Sequence, residues 1–80
     1  MKSIKVKYYA VFREQRGLHE ETVETLATTA VDLYIELASR FGFTLPPALV
    51  RASIDLQFQS LDAQLQDGDV VVFIPPVAGG

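Results

Sequence analysis

The residues best suited to chemistry stand at the end of the chain, where the small side chains of Val77 and Ala78 precede Gly79 and Gly80, which have none. A terminal carboxylate, with a reference pKa of about 3.5, is ionised at neutral pH and is a poor acyl electrophile until a better leaving group replaces one of its oxygens. Glycine leaves the carbonyl carbon open from both sides, as any side chain would not. The chain contains no phosphate-binding loop, so the activation is expected to come from another protein. Just upstream, Pro75 and Pro76 lack a backbone N–H and hold φ near −65°, which projects the chain as a stiff polyproline-like segment. Residues 75–80, at roughly 3.3 Å each, reach on the order of 20 Å, enough for a thin tail to enter a narrow channel.

Other candidates carry less chemistry. The chain has no cysteine, which excludes disulfides, cysteine-based metal sites and a thiol nucleophile. His19 is the sole histidine and sits among glutamates without a second ligand type, so it reads as a solvated residue and no metal site is expected. Asp67 and Asp69 flank Gly68 before an apolar run, a pattern of turn chemistry. Seven basic against ten acidic side chains give 7 − 10 = −3, which provides no basis for gripping a phosphate backbone, so nucleic acid is not an expected partner.

Eighty residues, 49% of them hydrophobic, suffice for one small core. Residues 1–74 are expected to form it and residues 75–80 the tail. The opening Met1-Lys2-Ser3-Ile4-Lys5 alternates charged with apolar side chains, unlike a secretory signal, so a cytoplasmic protein is expected. The longest apolar run, Val70 to Ile74, is far shorter than the ~20 residues of a membrane span.

The periodicity supplies the elements. Ile4, Val6, Tyr8 and Ala10 alternate with Lys5, Lys7, Tyr9 and Val11 as in a strand with one buried face. Arg13 to Gly17 reads as a hairpin connection or one helical turn closed by a glycine. Residues 19–25, with Thr22, Val23 and Thr25, read as an exposed strand. Ala30, Leu33, Tyr34, Leu37, Ala38 and Phe41 then recur at helical spacing, with Thr29 as the N-cap and Gly42 as the stop. Pro46 and Pro47 forbid continuation.

Residues 51–58 alternate Ala52, Ile54, Leu56 and Phe58 with polar neighbours, as one strand or two short ones. Leu61 and Leu65 read as anchors of an irregular segment. Val70 to Ile74, apolar on both parities, reads as a central strand covered on both faces. This order gives an α+β fold, a mixed sheet crossed on one face by one main helix in the β-grasp, ubiquitin-like architecture. Phe73 and Ile74 adjoin the tail, and an exposed apolar side chain there would mark a docking surface.

The run from Asp67-Gly68-Asp69 through Val70 to Ile74 and on to Pro75-Pro76-Val77-Ala78-Gly79-Gly80 resembles the C-terminal signature of the small, sulfur-carrying subunits of molybdopterin synthase, the MoaD family. Phe12-Arg13-Glu14, Glu20-Glu21-Thr22-Val23, the helix and the spacing of Leu65 before Asp67 extend the resemblance along the whole chain. A bare Gly-Gly is shared by all ubiquitin-like modifiers; the six-residue ending after a strand is the specific part. Asp55 departs from the pattern, standing where many relatives carry asparagine, a change that bears on a turn or on one partner contact.

The resemblance implies that Gly80 is adenylated by an ATP-dependent activating enzyme (MoeB-like) and converted to a thiocarboxylate by a sulfurtransferase system. The tail 75–79 would then insert into a large catalytic subunit (MoaE-like) and donate sulfur to cyclic pyranopterin monophosphate to build molybdopterin. Two donations per product fit a heterotetramer, with the catalytic side chains on the large subunit and no cofactor bound by this chain. Other ubiquitin-like sulfur carriers, for thiazole or cysteine synthesis, and ubiquitin-like protein modifiers share the terminal Gly-Gly and stay open as alternatives.

Overall fold

The computed structural model describes residues 1–76. In chain order they form β1 (Lys2–Tyr8), α1 (Val11–Arg16), β2 (Glu20–Thr25), α2 (Ala30–Phe41), a 3-10 turn (Pro47–Leu49), β3 (Arg51–Ile54), β4 (Gln57–Gln59) and β5 (Val70–Ile74). The five strands make one sheet in the order β2-β1-β5-β3-β4. The β1–β5 pair is parallel and the others are antiparallel. With the last strand at the centre and α2 across one face, this is the β-grasp arrangement.

The core forms where the period-two and period-3.6 stripes meet. Ile4, Val6, Tyr8, Ala52, Val71 and Phe73 line the inner face of the sheet, and Ala30, Leu33, Tyr34 and Leu37 of α2 close over them, all essentially inaccessible to water. The aromatic rings pack edge to face: Phe12 with Phe43 at 5.2 Å and Tyr34 with Phe73 at 5.3 Å between centroids. The Tyr34 hydroxyl donates to the Leu45 carbonyl at 2.6 Å, so its buried polar end is satisfied.

Helix α2 begins and ends as its sequence dictates. The Thr29 hydroxyl accepts from the Asp32 N–H, and Gly42 closes the helix at φ 77° with its N–H on the Ala38 carbonyl. The N–H groups of Ala30 and Val31, which lack partners inside the helix, donate to the carbonyls of Ala63 and Leu61. The irregular segment after β4 thus serves as a second cap, and within it Leu65 is buried and Leu61 half-buried.

Two expectations are corrected and one open alternative is decided. Strand β1 ends at Tyr8, not beyond Ala10: Ala10 adopts φ 51°, ψ −125°, and Phe12 N–H donates to the Tyr9 carbonyl across a tight turn. Such backbone costs a non-glycine residue on the order of 1–3 kcal/mol. Second, of the alternatives for residues 51–58 the pair of short strands is the one formed, a hairpin of β3 and β4 whose turn residues, Asp55 and Leu56, have φ of 51° and 73°. Ile54 then faces Gln57, and Ser53 faces Phe58. Folding the run back on itself therefore takes Leu56 and Phe58 off the side of Ile54, leaving them 91% and 80% exposed. Third, β5 is covered on one face only; Val71 and Phe73 are buried, whereas Val70, Val72 and Ile74 are half-buried on the outer face.

Candidate functional site

The site is built around β5, whose two ends are held very differently. At its start, the carboxylate of Asp55 accepts from the Val70 N–H at 2.8 Å while the Asp55 N–H donates to the Val70 carbonyl. Asp69 accepts from the Gln66 N–H at 2.8 Å, and Asp67 accepts from the Ser3 N–H at 2.7 Å. Gly68, at φ 89°, turns its N–H onto the Ser3 carbonyl. The hydrogen bond from Val70 holds the Asp55 carboxyl below its ordinary range, whereas burial pushes that of the neighbouring Asp69 up. The Asp-Gly-Asp run is thus turn chemistry, and Asp55 clamps a turn against the central strand.

At its other end β5 is released. The parallel ladder with β1 finishes at Tyr8 and Phe73, and the antiparallel ladder with β3 finishes at Arg51 and Ile74. Pro75 and Pro76 follow outside any strand and have no N–H to extend either ladder. A depression of about 580 Å³ lies on one side of them, walled by Leu49, Arg51, Phe58 and Ile74. Another of about 260 Å³ lies on the other side, walled by Ala10, Val11, Thr44 and Leu45.

The expected docking residues divide. Phe73 is fully buried and belongs to the core, because its parity on β5 points it at α2. Ile74, of opposite parity, is half-buried and borders the larger depression. Phe58 and Leu49, the latter 51% exposed, are large exposed apolar side chains that line it as well. Sequence reasoning missed Phe58, because Asp55-Leu56 is a weak hairpin signal compared with Asn-Gly or Asp-Gly.

Along the outer face of the sheet, cross-strand register sets Lys5 beside Val70, Lys7 beside Val72 and Arg51 beside Ile74. An apolar ridge on β5 is therefore flanked by cations, of which Lys5 reaches Glu20 at 3.3 Å.

The remaining polar clusters are structural. Tyr8 donates to Glu21 at 2.7 Å, and Arg16 donates to both Glu21 oxygens at 2.7 and 2.9 Å while its guanidinium lies 4.0 Å from the centre of the Phe41 ring. Burial, reinforced by Glu21, pushes the Tyr8 phenol well above its usual range, and Arg16 holds Glu21 below its own. Neither is poised for proton transfer at neutral pH. His19 sits 3.4 Å from an Arg13 nitrogen. Among the described residues no three His, Asp or Glu side chains converge as a metal site would require, and no helix is long and apolar enough to cross a membrane.

Residues 6–80 match the family model described as ThiS family. The chain belongs to the ThiS family. It is 34% identical over 80 residues, 96% of this chain and 99% of the other, to the molybdopterin synthase sulfur carrier subunit of Escherichia coli K12. Among solved structures, a Pyrococcus furiosus protein assigned as molybdopterin converting factor subunit 1 matches with TM-score 0.77 and 32% identity, over 96% of this chain and all of that one. The fold is also that of a chain in the complex of subunits 1 and 2 of the Helicobacter pylori molybdopterin-converting factor, with TM-score 0.64, 20% identity and coverage of 98% and 99%. The family resemblance expected from the terminal motif is thereby confirmed. The terminal residues of this ThiS-family chain, Val77, Ala78, Gly79 and Gly80, lie outside the described residues.

Proposed function

We propose that this chain is the sulfur carrier subunit of a molybdopterin synthase and that its reagent is the carboxylate of Gly80. The observation that carries this reading is the 34% identity, along the whole length, to the sulfur carrier subunit of Escherichia coli. The geometry supports it: the central strand ends where both neighbouring ladders end, and two prolines then direct the chain away from the sheet.

The chemistry follows from the weakness of a carboxylate as electrophile. A carboxylate oxygen of Gly80 attacks the α-phosphate of ATP on a separate, MoeB-like activating enzyme, and pyrophosphate leaves. A sulfur nucleophile at the oxidation level of sulfide, supplied by a sulfurtransferase, displaces AMP and leaves a thiocarboxylate. Residues 75–79 then carry that group into a MoaE-like large subunit, where sulfur passes to cyclic pyranopterin monophosphate and water restores the carboxylate. The body gives these enzymes an address: Phe58, Leu49 and Ile74 offer an apolar patch at the root of the tail, with Arg51 beside it. Two donations per product favour a heterotetramer, and the need for ATP places the cycle in the cytoplasm.

Intact mass spectrometry of protein from cells with an active sulfur pathway is expected to find one oxygen replaced by sulfur at Gly80. Deletion of Gly80 is expected to remove that species and the capacity to restore molybdenum cofactor synthesis in a carrier-deficient strain. Restoration by the truncated chain would overturn the proposal. Rescue of thiamine synthesis alone would mark a thiazole carrier, and covalent ladders on a denaturing gel a protein modifier.

A further inference from the structure

The two edges of the sheet are unlike. β4 offers three residues, and shortness is one way in which a sheet keeps an edge from pairing with other chains. β2 offers six, Glu20–Thr25, with no proline or glycine among them and with its register against β1 unbroken from Lys2 and Thr25 to Lys7 and Glu20. The Tyr8 N–H donates to the His19 carbonyl at 2.8 Å. By the alternation of an antiparallel ladder, residues 21, 23 and 25 therefore turn their backbone groups to β1, while Glu20, Thr22 and Glu24 turn theirs outward. Among the described residues β2 has no strand on that outward side. Glu21, the one charged side chain of β2 on the inner face, is taken up by Arg16 and Tyr8, so it no longer deters an added strand. A depression of about 400 Å³ lies at the edge, walled by Met1, Thr22, Glu24 and, from α2, Arg40.

We infer that β2 is a docking edge for an extended segment of another protein that carries lysine or arginine and joins the sheet as a sixth strand. The backbone groups of Glu20, Thr22 and Glu24 supply the pairing, and charge selects the occupant. Side chains paired with these three stand on the outer face of the sheet beside the carboxylates of Glu20 and Glu24, so the fitting segment has cations four residues apart. Lys5 already meets Glu20 in this way from the β1 side at 3.3 Å, whereas Glu24 has no ion-pair partner among the described residues. A second copy of the chain does not fit, because antiparallel pairing of β2 with itself about Thr22 would set Glu20 against Glu24 on both sides. The edge lies across the sheet from β4 and Phe58, so this contact is separate from the patch at the root of the tail and does not depend on the carrier reading.

The test is an amide-resolved NMR titration of the full chain with a blocked five-residue peptide, threonine at the three middle positions and lysine at both ends. Shifts are expected at Glu20, Thr22 and Glu24, with Val72 and Ile74 unmoved. The same peptide with glutamate at both ends should bind about tenfold more weakly, and Glu20→Lys with Glu24→Lys should reverse that preference. An N-methyl group on the central threonine, whose N–H would pair with Thr22, should weaken the lysine peptide about tenfold, and one on the second residue, whose N–H points away, should not. Equal affinity for the two peptides, a double variant that keeps the parental preference, shifts centred on β5, or indifference to the position of the N-methyl group would each overturn the inference. So would a parent dimer in sedimentation equilibrium that the lysine peptide dissociates, which would give the edge to a second copy.

Discussion

The two ends of β5 obey opposite rules. Its start is tied by carboxylates and backbone groups from three parts of the chain: Ser3 of β1, the Asp55 turn and the Gln66–Asp69 loop. Its end is apolar, gains no partner after Tyr8 and Arg51, and runs into two residues that cannot donate. The contrast teaches that the register of a central strand can be fixed by polar groups at one end while its other end is held only as far as its neighbouring ladders run. A slip of one residue would move Phe73 out of the core and Ile74 into it.

The largest expected effect comes from truncating the inward-facing one of those two neighbours. Phe73→Ala removes a ring buried against Tyr34 and should cost roughly 3–5 kcal/mol of unfolding free energy, read from urea denaturation. A loss below about 1 kcal/mol would mean that Phe73 is not the inward anchor of β5.

Next in size, Phe58→Asp should leave stability within about 0.5 kcal/mol, because the ring is 80% exposed. It should weaken binding to the large subunit by roughly 2 kcal/mol, about 30-fold by calorimetric titration. Unchanged affinity would move the docking surface away from the released end.

At the fixed end, Asp67→Ala deletes one acceptor for the Ser3 N–H and should cost about 1 kcal/mol in the same denaturation experiment, without effect on partner affinity.

The smallest effect is a change of pH dependence. Asp69 has its folded pKa raised above the ordinary 3.8, chiefly by burial, so its favourable contribution is complete at low pH and is lost as pH rises through the raised value. Asp55 runs the other way: its pKa is lowered, and its contribution is lost as pH falls through that lowered value. Asp69→Asn, which mimics the protonated acid, should therefore gain stability relative to the parent as pH rises through the Asp69 pKa. A constant difference in urea midpoint across that range would show that the two carboxyl groups do not share the start of β5 as described.

Much of this architecture was legible because it rests on local signals. Thr29, Asp32 and Gly42 bound α2 within the chain itself, and the stripe from Ala30 to Phe41 needs no knowledge of what it packs against. Gly17 likewise closes the single turn of α1 at φ 81°. The outward patch was not legible. Alternation from Ala52 to Phe58 fits one strand as well as two, and only pairing of Ile54 with Gln57 turns Phe58 to solvent.

The sequence by itself determined the kinds of group available: a chain with no thiol and one histidine, an amphipathic helix, an apolar final strand, and two prolines that no ladder can extend. Tertiary structure alone decided which of those groups face outward. Phe73 went inward and Phe58 outward, and Ala10 and Asp55 took left-handed backbone to end one strand and clamp another. The physical reason is that a side chain's face is fixed by register between segments far apart in sequence, and register is chosen by the burial of the whole sheet against α2.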